Sequence, residues 1–363
     1  MKKIVAAAMS LLLILSSSVF YVKAESLNEP SLSAESAILL DADSGDILMS
    51  KNPEEKMGMA STTKIMTALV AAEKGNLKKT VKIPKEAVGI EGSSVYLYEG
   101  EKITLEELLY ALLLQSANDA AAAIAISTAG SIEAFADMMN ERANKMGLSN
   151  THFTNPHGLN DKDHYTTAYD LAVIASCALK NETVREIVST YKKTIPIDSD
   201  CNKRVLVNHN KMLRLYDGAI GVTTGFTKAT GRCLVSAAER DGLTLVAVTL
   251  NAPNDWSDHT AMLDFGFENY ESVLIASPGS FTYALPVTGG VEEYAALTNT
   301  SELRMTLPKK RGDLTCKTEV IHRFEFAPVH RGAPAGVVYY FYKGRSVSSP
   351  LVFAENISAK HFR

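Results

Sequence analysis

The chain is poor in cysteine. Its four (Cys177, Cys201, Cys233 and Cys316) lie far apart among 363 residues, with no Cys-x-x-Cys pair. That spacing excludes a zinc ribbon and a disulfide-stapled scaffold, and it leaves any pairing open. Excess basic charge is lacking too. Lys and Arg number 37 against 41 acidic residues, a formal charge of -4, so a nucleic-acid partner is not expected. The densest basic run, Lys309-Lys310-Arg311 before Gly312, reads as a solvated turn. No glycine-rich phosphate loop and no His-Glu-x-x-His occur, and both would be needed for the commonest nucleotide and zinc chemistries. His152, His157 and His164 near Asp161 and Asp163 read as a polar loop rather than a metal site. No cofactor or metal is expected.

What is present suits a folded chain: 46% apolar and 21% charged residues, with 22 Gly and 12 Pro. At roughly 150 residues per domain, the length predicts about two domains. Lys2 and Lys3 precede an apolar run from Ile4 to about Tyr21, and Val22 and Ala24 supply small residues for signal peptidase. Residues 1–24 therefore read as a secretory signal cut after Ala24. Ser16, Ser17 and Ser18 weaken the rival reading of a retained span, which needs about 20 strongly apolar residues. No later stretch is long and apolar enough. The protein is expected to be secreted, working at the outer face of the cytoplasmic membrane or in the cell wall.

The pattern along the chain predicts an α/β (α+β) fold. Two apolar runs around Asp43-Ser44-Gly45-Asp46 signal a hairpin near residue 40. Helical spacing follows from Ser61 to Gly75, from a Thr104–Glu107 capping box to Leu113, over Asp119–Gly130, over Ile132–Gly147, and from about Thr167. Cys233–Ala238 and Leu243–Leu250 then flank Asp241-Gly242, the strongest hairpin signal in the chain. Strands open and close this region while helices fill it, which predicts one mostly antiparallel sheet flanked by helices. After Ser277-Pro278-Gly279 the helical period vanishes, and Val337–Tyr342 with Val347–Phe353 gives a late hairpin. The expected organisation is 25–277 as the main domain, 278–355 as a small all-β domain with Tyr339–Tyr342 in its core, and 356–363 as a short tail.

One constellation carries chemistry. In Ser61-Thr62-Thr63-Lys64, residues three apart share a helical face, so the Lys64 amine can reach the Ser61 hydroxyl. Serine is a poor nucleophile until a base takes its proton. Lysine, with a pKa near ~10.4 in water, becomes that base only if burial lowers it. Taken alone, the motif is more often a capping serine with an exposed lysine. Ser116-Ala117-Asn118, at a break between two helices, suits a cleft floor, or plain helix capping. Gly225 in Gly221–Thr227 would let a substrate backbone approach a strand edge, or simply turn the chain.

Together, Ser-x-x-Lys, Ser-x-Asn and a third motif near Lys-Thr-Gly resemble the signature of penicillin-binding proteins and class A β-lactamases. Glu91-Gly92-Ser93-Ser94, Asn155-Pro156-His157-Gly158-Leu159, Thr167-Ala168-Tyr169-Asp170-Leu171 and Asn208-His209-Asn210 are similar to stretches of the low-molecular-mass D-alanyl-D-alanine carboxypeptidases. The likeness spans about residues 30–355 and is similar to the branch from Gram-positive, often spore-forming, bacteria. It implies a DD-peptidase/β-lactamase-like sheet with a C-terminal β domain. It also implies Ser61 as acylating nucleophile, Lys64 as general base, Ser116 as proton relay, and Asn118 as holder of the substrate amide and Lys64. Thr224 would bind the substrate carboxylate, and the N–H groups of Ser61 and Phe226 would form the oxyanion hole; Thr223, Thr224, Gly225 and Phe226 are the implied substrate-binding run. The implied partners are peptidoglycan pentapeptide stems and β-lactam inhibitors.

Two departures from the family stand out. Thr223 occupies the place of the lysine in Lys-Thr-Gly, which predicts weakened turnover or altered specificity, with Lys228 or Arg232 as nearby cations that could replace it. Many relatives end in an amphipathic helix resting on a membrane, whereas Asn356–Arg363 is too short for one, so membrane association stays open. Two rival functions remain. A β-lactamase would need a second carboxylate base, for which 155–169 offers Asp161 and Asp163 but no glutamate. A penicillin- or wall-binding protein with decayed catalysis would keep the fold but not the turnover.

Overall fold

The computed structural model describes residues 28–197 and 202–361, so the expected leader (1–24) and Cys201 lie outside the described residues. The chain begins with a hairpin of β1 (Ser36–Asp41) and β2 (Ile47–Lys51). Its turn is held by the Asp41 carboxylate, which accepts from Asp43 N (3.0 Å) and Ser44 Oγ (2.7 Å). A 3-10 turn, Ala60–Thr63, then runs into helix α1 (Lys64–Lys74). Ser61 therefore lies in the tight turn before the α-helix rather than inside it, a difference from the sequence expectation. Three residues per turn eclipse positions i and i+3, which keeps Ser61 and Lys64 on one side.

Short strands β3 (Thr80–Lys82) and β4 (Lys102–Thr104) pair next. The Thr104–Glu107 capping box forms as the sequence predicts: Thr104 Oγ1 accepts from Glu107 N (3.2 Å), and Glu107 Oε2 accepts from Thr104 N (2.9 Å). It starts α2 (Leu105–Leu114). The alanine-rich α3 (Asn118–Ala129) stops at Gly130, whose φ of +89 suits glycine. Helices α4 (Ile132–Lys145), α5 (Ala168–Leu179) and α6 (Glu182–Ser189) follow. A hairpin of β5 (Lys192–Ile197) and β6 (Asn202–Val207) and the short α7 (Met212–Leu215) complete the middle of the chain.

Three long strands return: β7 (Ala219–Thr227), β8 (Gly231–Arg240) and β9 (Leu243–Leu250). Asp241 and Gly242 both take positive φ (+49 and +76), as a two-residue hairpin turn between twisted strands requires. The main sheet runs β2-β1-β9-β8-β7 and is antiparallel throughout. Strand β9 joins residue 36 to residue 250, so sequence-distant strands share this sheet. Every residue of β9 is buried because both faces are covered. One face packs Ile38, Leu40, Val235, Val246 and Val248 against the helices from α1 to α6. The other packs Leu39, Leu245 and Ala247 against α8 (Asp255–Asn269), through Met262, Leu263 and Phe265.

Strand β10 (Tyr270–Ala276) leads into β11 (Thr282–Thr288), β12 (Tyr294–Asn299), β13 (Leu303–Pro308), β14 (Thr315–Val320), β15 (Glu325–Phe326), β16 (Pro334–Tyr342) and β17 (Arg345–Phe353). A six-stranded sheet has the order β14-β16-β17-β12-β11-β15, and β10 pairs with β13, across position 278. Of the Tyr339–Tyr342 run, Tyr342 is buried with Met305 and Leu307, while Tyr339 and Phe341 are half-buried with stacked rings. Alternation along a strand explains this split. Ile357, inside the stretch read from sequence as a tail, is buried with Leu285, Val338 and Leu351 and pairs with Val329. Asp46–Arg345 (2.6 Å) and Asp41–Thr306 (2.6 Å) tie these strands to the first hairpin. Among the described residues, no helix is long and apolar enough to cross a membrane.

Candidate active site

The site is built around a lysine with no route to water. Lys64 is wholly buried, yet its Nζ lies 3.0 Å from Ser61 Oγ and 2.6 Å from the His157 carbonyl oxygen. Burial disfavours its charged form and pushes its pKa down to about 7, against a smaller upward pull from Asp119. An amine so placed is uncharged in a large fraction of molecules at neutral pH, which is what a general base needs.

The carbonyl that holds Lys64 is aimed by local sequence. Asn155 Oδ1 accepts from His157 N (3.2 Å) and Gly158 N (2.7 Å), an Asx turn. The turn directs two successive carbonyls at α1: Pro156 O accepts from Thr67 Oγ1 and His157 O from Lys64 Nζ, each at 2.6 Å. Gly158 is required for the approach. It sits at φ +87, and a Cβ there would lie 1.8 Å from the Ala60 carbonyl oxygen. Ala60 itself has φ +47, a conformation rarely adopted by a residue with a Cβ. Its carbonyl accepts from Thr63 Oγ1 (2.7 Å), which also contacts His164 Nε2 (2.8 Å). His164 Nδ1 accepts from Thr154 N, so the ring proton sits on Nε2 and points to Thr63. Burial lowers the pKa of His164 to about 4 and that of His157 to about 3, so both are neutral props. His164 thus holds the serine turn through Thr63, and His157 holds Lys64 through its backbone carbonyl.

The second motif forms the opposite wall. Ser116 has φ +55, an uncommon conformation for serine, and its Oγ is buried without a hydrogen-bond partner. Asn118 donates its side-chain amide to Glu91 O (2.5 Å), and its backbone N–H to Ser93 O (2.7 Å). Its Oδ1 is buried and unpartnered. The expected hold of Asn118 on Lys64 is therefore not made; the Glu91-Gly92-Ser93-Ser94 segment holds Asn118 instead. Gly92, at φ +94, lets this segment close in, since a Cβ there would lie 2.8 Å from Asn118 Nδ2. Asp119 ties the same loop by accepting from Ser94 Oγ (2.6 Å) and Leu97 N (3.0 Å).

The third motif lies on β7, at the edge of the main sheet. A Cβ on Gly225 would stand 3.0 Å from Ser61 N, so the strand meets the serine turn backbone to backbone. Ser61, Ser116, Thr224, Gly225 and Phe226 line one cavity of about 290 Å3, together with Arg232, Asp255 and Trp256. Thr223 is not among its lining residues: it is 3% exposed, and its hydroxyl has no hydrogen-bond partner among the described residues. Of the two nearby cations, Arg232 reaches the cavity wall, while Lys228 does not line it. Sequence reasoning missed the His157 carbonyl, because a backbone acceptor leaves no residue signature.

Comparison with known proteins agrees with this geometry. A family model described as D-alanyl-D-alanine carboxypeptidase matches residues 23–254. The chain is 34% identical over 340 residues to the D-alanyl-D-alanine carboxypeptidase DacF of Bacillus subtilis, covering 91% of this chain and 87% of that one. It is 34% identical over 263 residues to the D-alanyl-D-alanine carboxypeptidase of Streptomyces sp. K15, covering 67% and 90%. Among solved structures, penicillin binding protein 5 from Haemophilus influenzae superposes with a TM-score of 0.76 at 27% identity, over 91% of this chain and 98% of that one. PBP3 from Streptococcus pneumoniae gives 0.77 at 26%, over 91% and 100%.

Proposed function

The chain belongs to the D-alanyl-D-alanine carboxypeptidase family, and on that premise we propose that it removes the terminal D-alanine of peptidoglycan pentapeptide stems through an acyl-enzyme on Ser61. The observation that carries the reading is the 3.0 Å contact between a fully buried Lys64 amine and the Ser61 hydroxyl. The uncharged amine donates to the His157 carbonyl and keeps its lone pair for the Ser61 proton. As that proton leaves, Oγ attacks the carbonyl of the penultimate D-alanine. The negative charge that develops on the carbonyl oxygen meets the N–H groups of Ser61 and Phe226, which the approach of Gly225 to the serine turn brings near one another. Lys64 then hands the Ser61 proton to the Ser116 hydroxyl, buried and unspent, which passes its own proton to the departing amine as the C–N bond breaks and leaves Lys64 uncharged again. Asn118 Oδ1, equally unspent, accepts from the substrate amide. Water then enters the vacated space, loses a proton to the uncharged Lys64 and attacks the ester carbonyl, and that proton returns to Ser61 Oγ as the shortened peptide leaves.

A β-lactam presents a carbonyl and a carboxylate in a similar relation, and acylates the same serine under this reading. The rival β-lactamase needs a second carboxylate base. Asp255 is the carboxylate among the described residues lining the cavity, and it is already engaged by Arg232 and by Trp256 N. That leaves deacylation of a bound β-lactam without a second base. Secretion accords with a substrate that lies outside the cytoplasmic membrane. Mass spectrometry of a pentapeptide after incubation tests the proposal. Loss of one alanine is expected, and Ser61→Ala should reduce the rate by about 10^4-fold or more. Release that persists in Ser61→Ala would overturn it.

A further inference from the structure

The cleft lacks the fixed positive charge that the family places at residue 223, yet it must receive a substrate ending in a carboxylate. We propose that Arg232 binds the terminal carboxylate of the departing D-alanine and takes over the role left vacant by Thr223. The inference rests on the carboxypeptidase reading above and assigns one residue to its substrate.

Strand register puts Arg232 in position. It pairs with Phe226, and Leu234, two residues on, pairs with Thr224. Alternating side chains share a face, so Arg232 and Thr224 are diagonal neighbours on one face of β7–β8, a spacing of roughly 7–8 Å. Both line the cavity that contains Ser61. Thr223 shares the other face with Gly225, the residue that abuts the serine turn. A cation on Arg232 therefore faces the cleft from beside Thr224, the residue expected to bind the carboxylate.

Among the described residues lining the cavity, Arg232 is the one that is cationic at neutral pH. The other basic lining residue, His209, is held neutral by burial. The guanidinium is oriented but not used up. Its Nη2 lies 2.9 and 2.8 Å from the two oxygens of Asp255, whose side chain is 3% exposed and also accepts from Trp256 N (2.9 Å). Arg232 Nε is buried without a partner, and Nη1 makes no hydrogen bond among the described residues. Asp255 thus fixes one arm of a planar fork while other donors remain for a ligand. A fixed fork suits the two oxygens of a carboxylate. Because Asp255 offsets part of the charge, recognition depends on directed hydrogen bonds more than on net attraction.

The test compares kcat/KM for a peptide ending in D-Ala-D-Ala as the free acid with that for its C-terminal carboxamide. Wild type should favour the acid by more than about tenfold. Arg232→Gln and Arg232→Met, a second neutral variant, should lower kcat/KM for the acid roughly ten- to 150-fold and collapse the acid-to-amide ratio toward one. Arg232→Lys should retain part of that ratio. A purely structural role lowers both substrates together and keeps the ratio, and that result, or a wild-type ratio near one, would sink the proposal. Wild type that releases neither D-alanine from the acid nor D-alaninamide from the carboxamide would instead count against the carboxypeptidase reading. Arg232 is then judged by acylation rates with benzylpenicillin and its methyl ester. A ratio that collapses in the neutral variants supports the assignment, and one that does not overturns it.

Discussion

Two cavities of nearly equal size lie in this molecule, about 290 Å3 beside Ser61 and about 310 Å3 between the first hairpin and the β10–β13 pair. Their polar groups are spent very differently. In the second cavity, Asp41 accepts from Asp43 N, Ser44 Oγ and Thr306 Oγ1, and Glu302 pairs with Arg304 at 2.6 Å. Beside Ser61, by contrast, Ser116 Oγ and Asn118 Oδ1 are buried with nothing to bond, and a lysine is buried without a carboxylate against it. Unmade hydrogen bonds in a dry place cost about 1–3 kcal/mol each. A fold tolerates them where a ligand will make them. Volume does not distinguish the two cavities, but unused hydrogen-bonding capacity does.

The largest expected break in that contrast comes from Lys64→Met, which keeps the bulk of the side chain and removes its lone pair. D-Alanine release should fall by about 10^2–10^4-fold, the usual worth of a general base, while the far-ultraviolet circular dichroism spectrum stays that of wild type. A pH profile probes the same group without substitution. The base must be unprotonated and its pKa is about 7. So kcat/KM should rise about tenfold per unit as pH climbs toward 7, then level off above it. A profile that is flat from pH 5 to 8 would remove Lys64 as the base. Thr223→Lys should leave D-alanine release within about threefold of wild type, because Arg232 already supplies a cation and residue 223 does not line the cavity. A gain of about tenfold or more in the lysine form would show that the position still carries a cost that Arg232 does not offset. The smallest effect on turnover belongs to the other cavity. Thr306→Val removes a hydrogen bond to the Asp41 carboxylate and should cost roughly 1.5–3 kcal/mol in denaturant unfolding. Its turnover should stay within about twofold of wild type, and a larger loss would mean that the two cavities are coupled.

Part of the fold and of the candidate site is legible in the sequence, although the second cavity is not. Ser61 and Lys64 are three residues apart, and that spacing carries over whether the turn is α or 3-10. The Thr104–Glu107 box, Gly130 and Asp241-Gly242 each announce a local geometry through one or two side chains. Where the signal was missing, the cause was physical. Helix α6 has an Asn181 cap and a short apolar face, but eight residues give too few periods to stand out. The β5–β6 hairpin is half exposed and interrupted by Pro196, so its alternation is weak. Ile357 lies in a polar stretch, and its burial depends on Val329, which is distant in sequence. In the site, side chains that react could be named, but the backbone oxygens of His157 and Glu91 that hold them could not. Nor did sequence distinguish Arg232 from Lys228 as the cation at the cleft, because strand register decides it.

The unbonded oxygens of Ser116 and Asn118 also set a trap for protein engineering. A screen that ranks substitutions by melting temperature alone rewards whatever relieves buried, unsatisfied polar atoms. It would settle early on an alanine at 116 or an apolar side chain at 118. The winners would be sturdier than the natural protein, and they would have lost the two unspent groups of the cleft on which the proposed reaction depends.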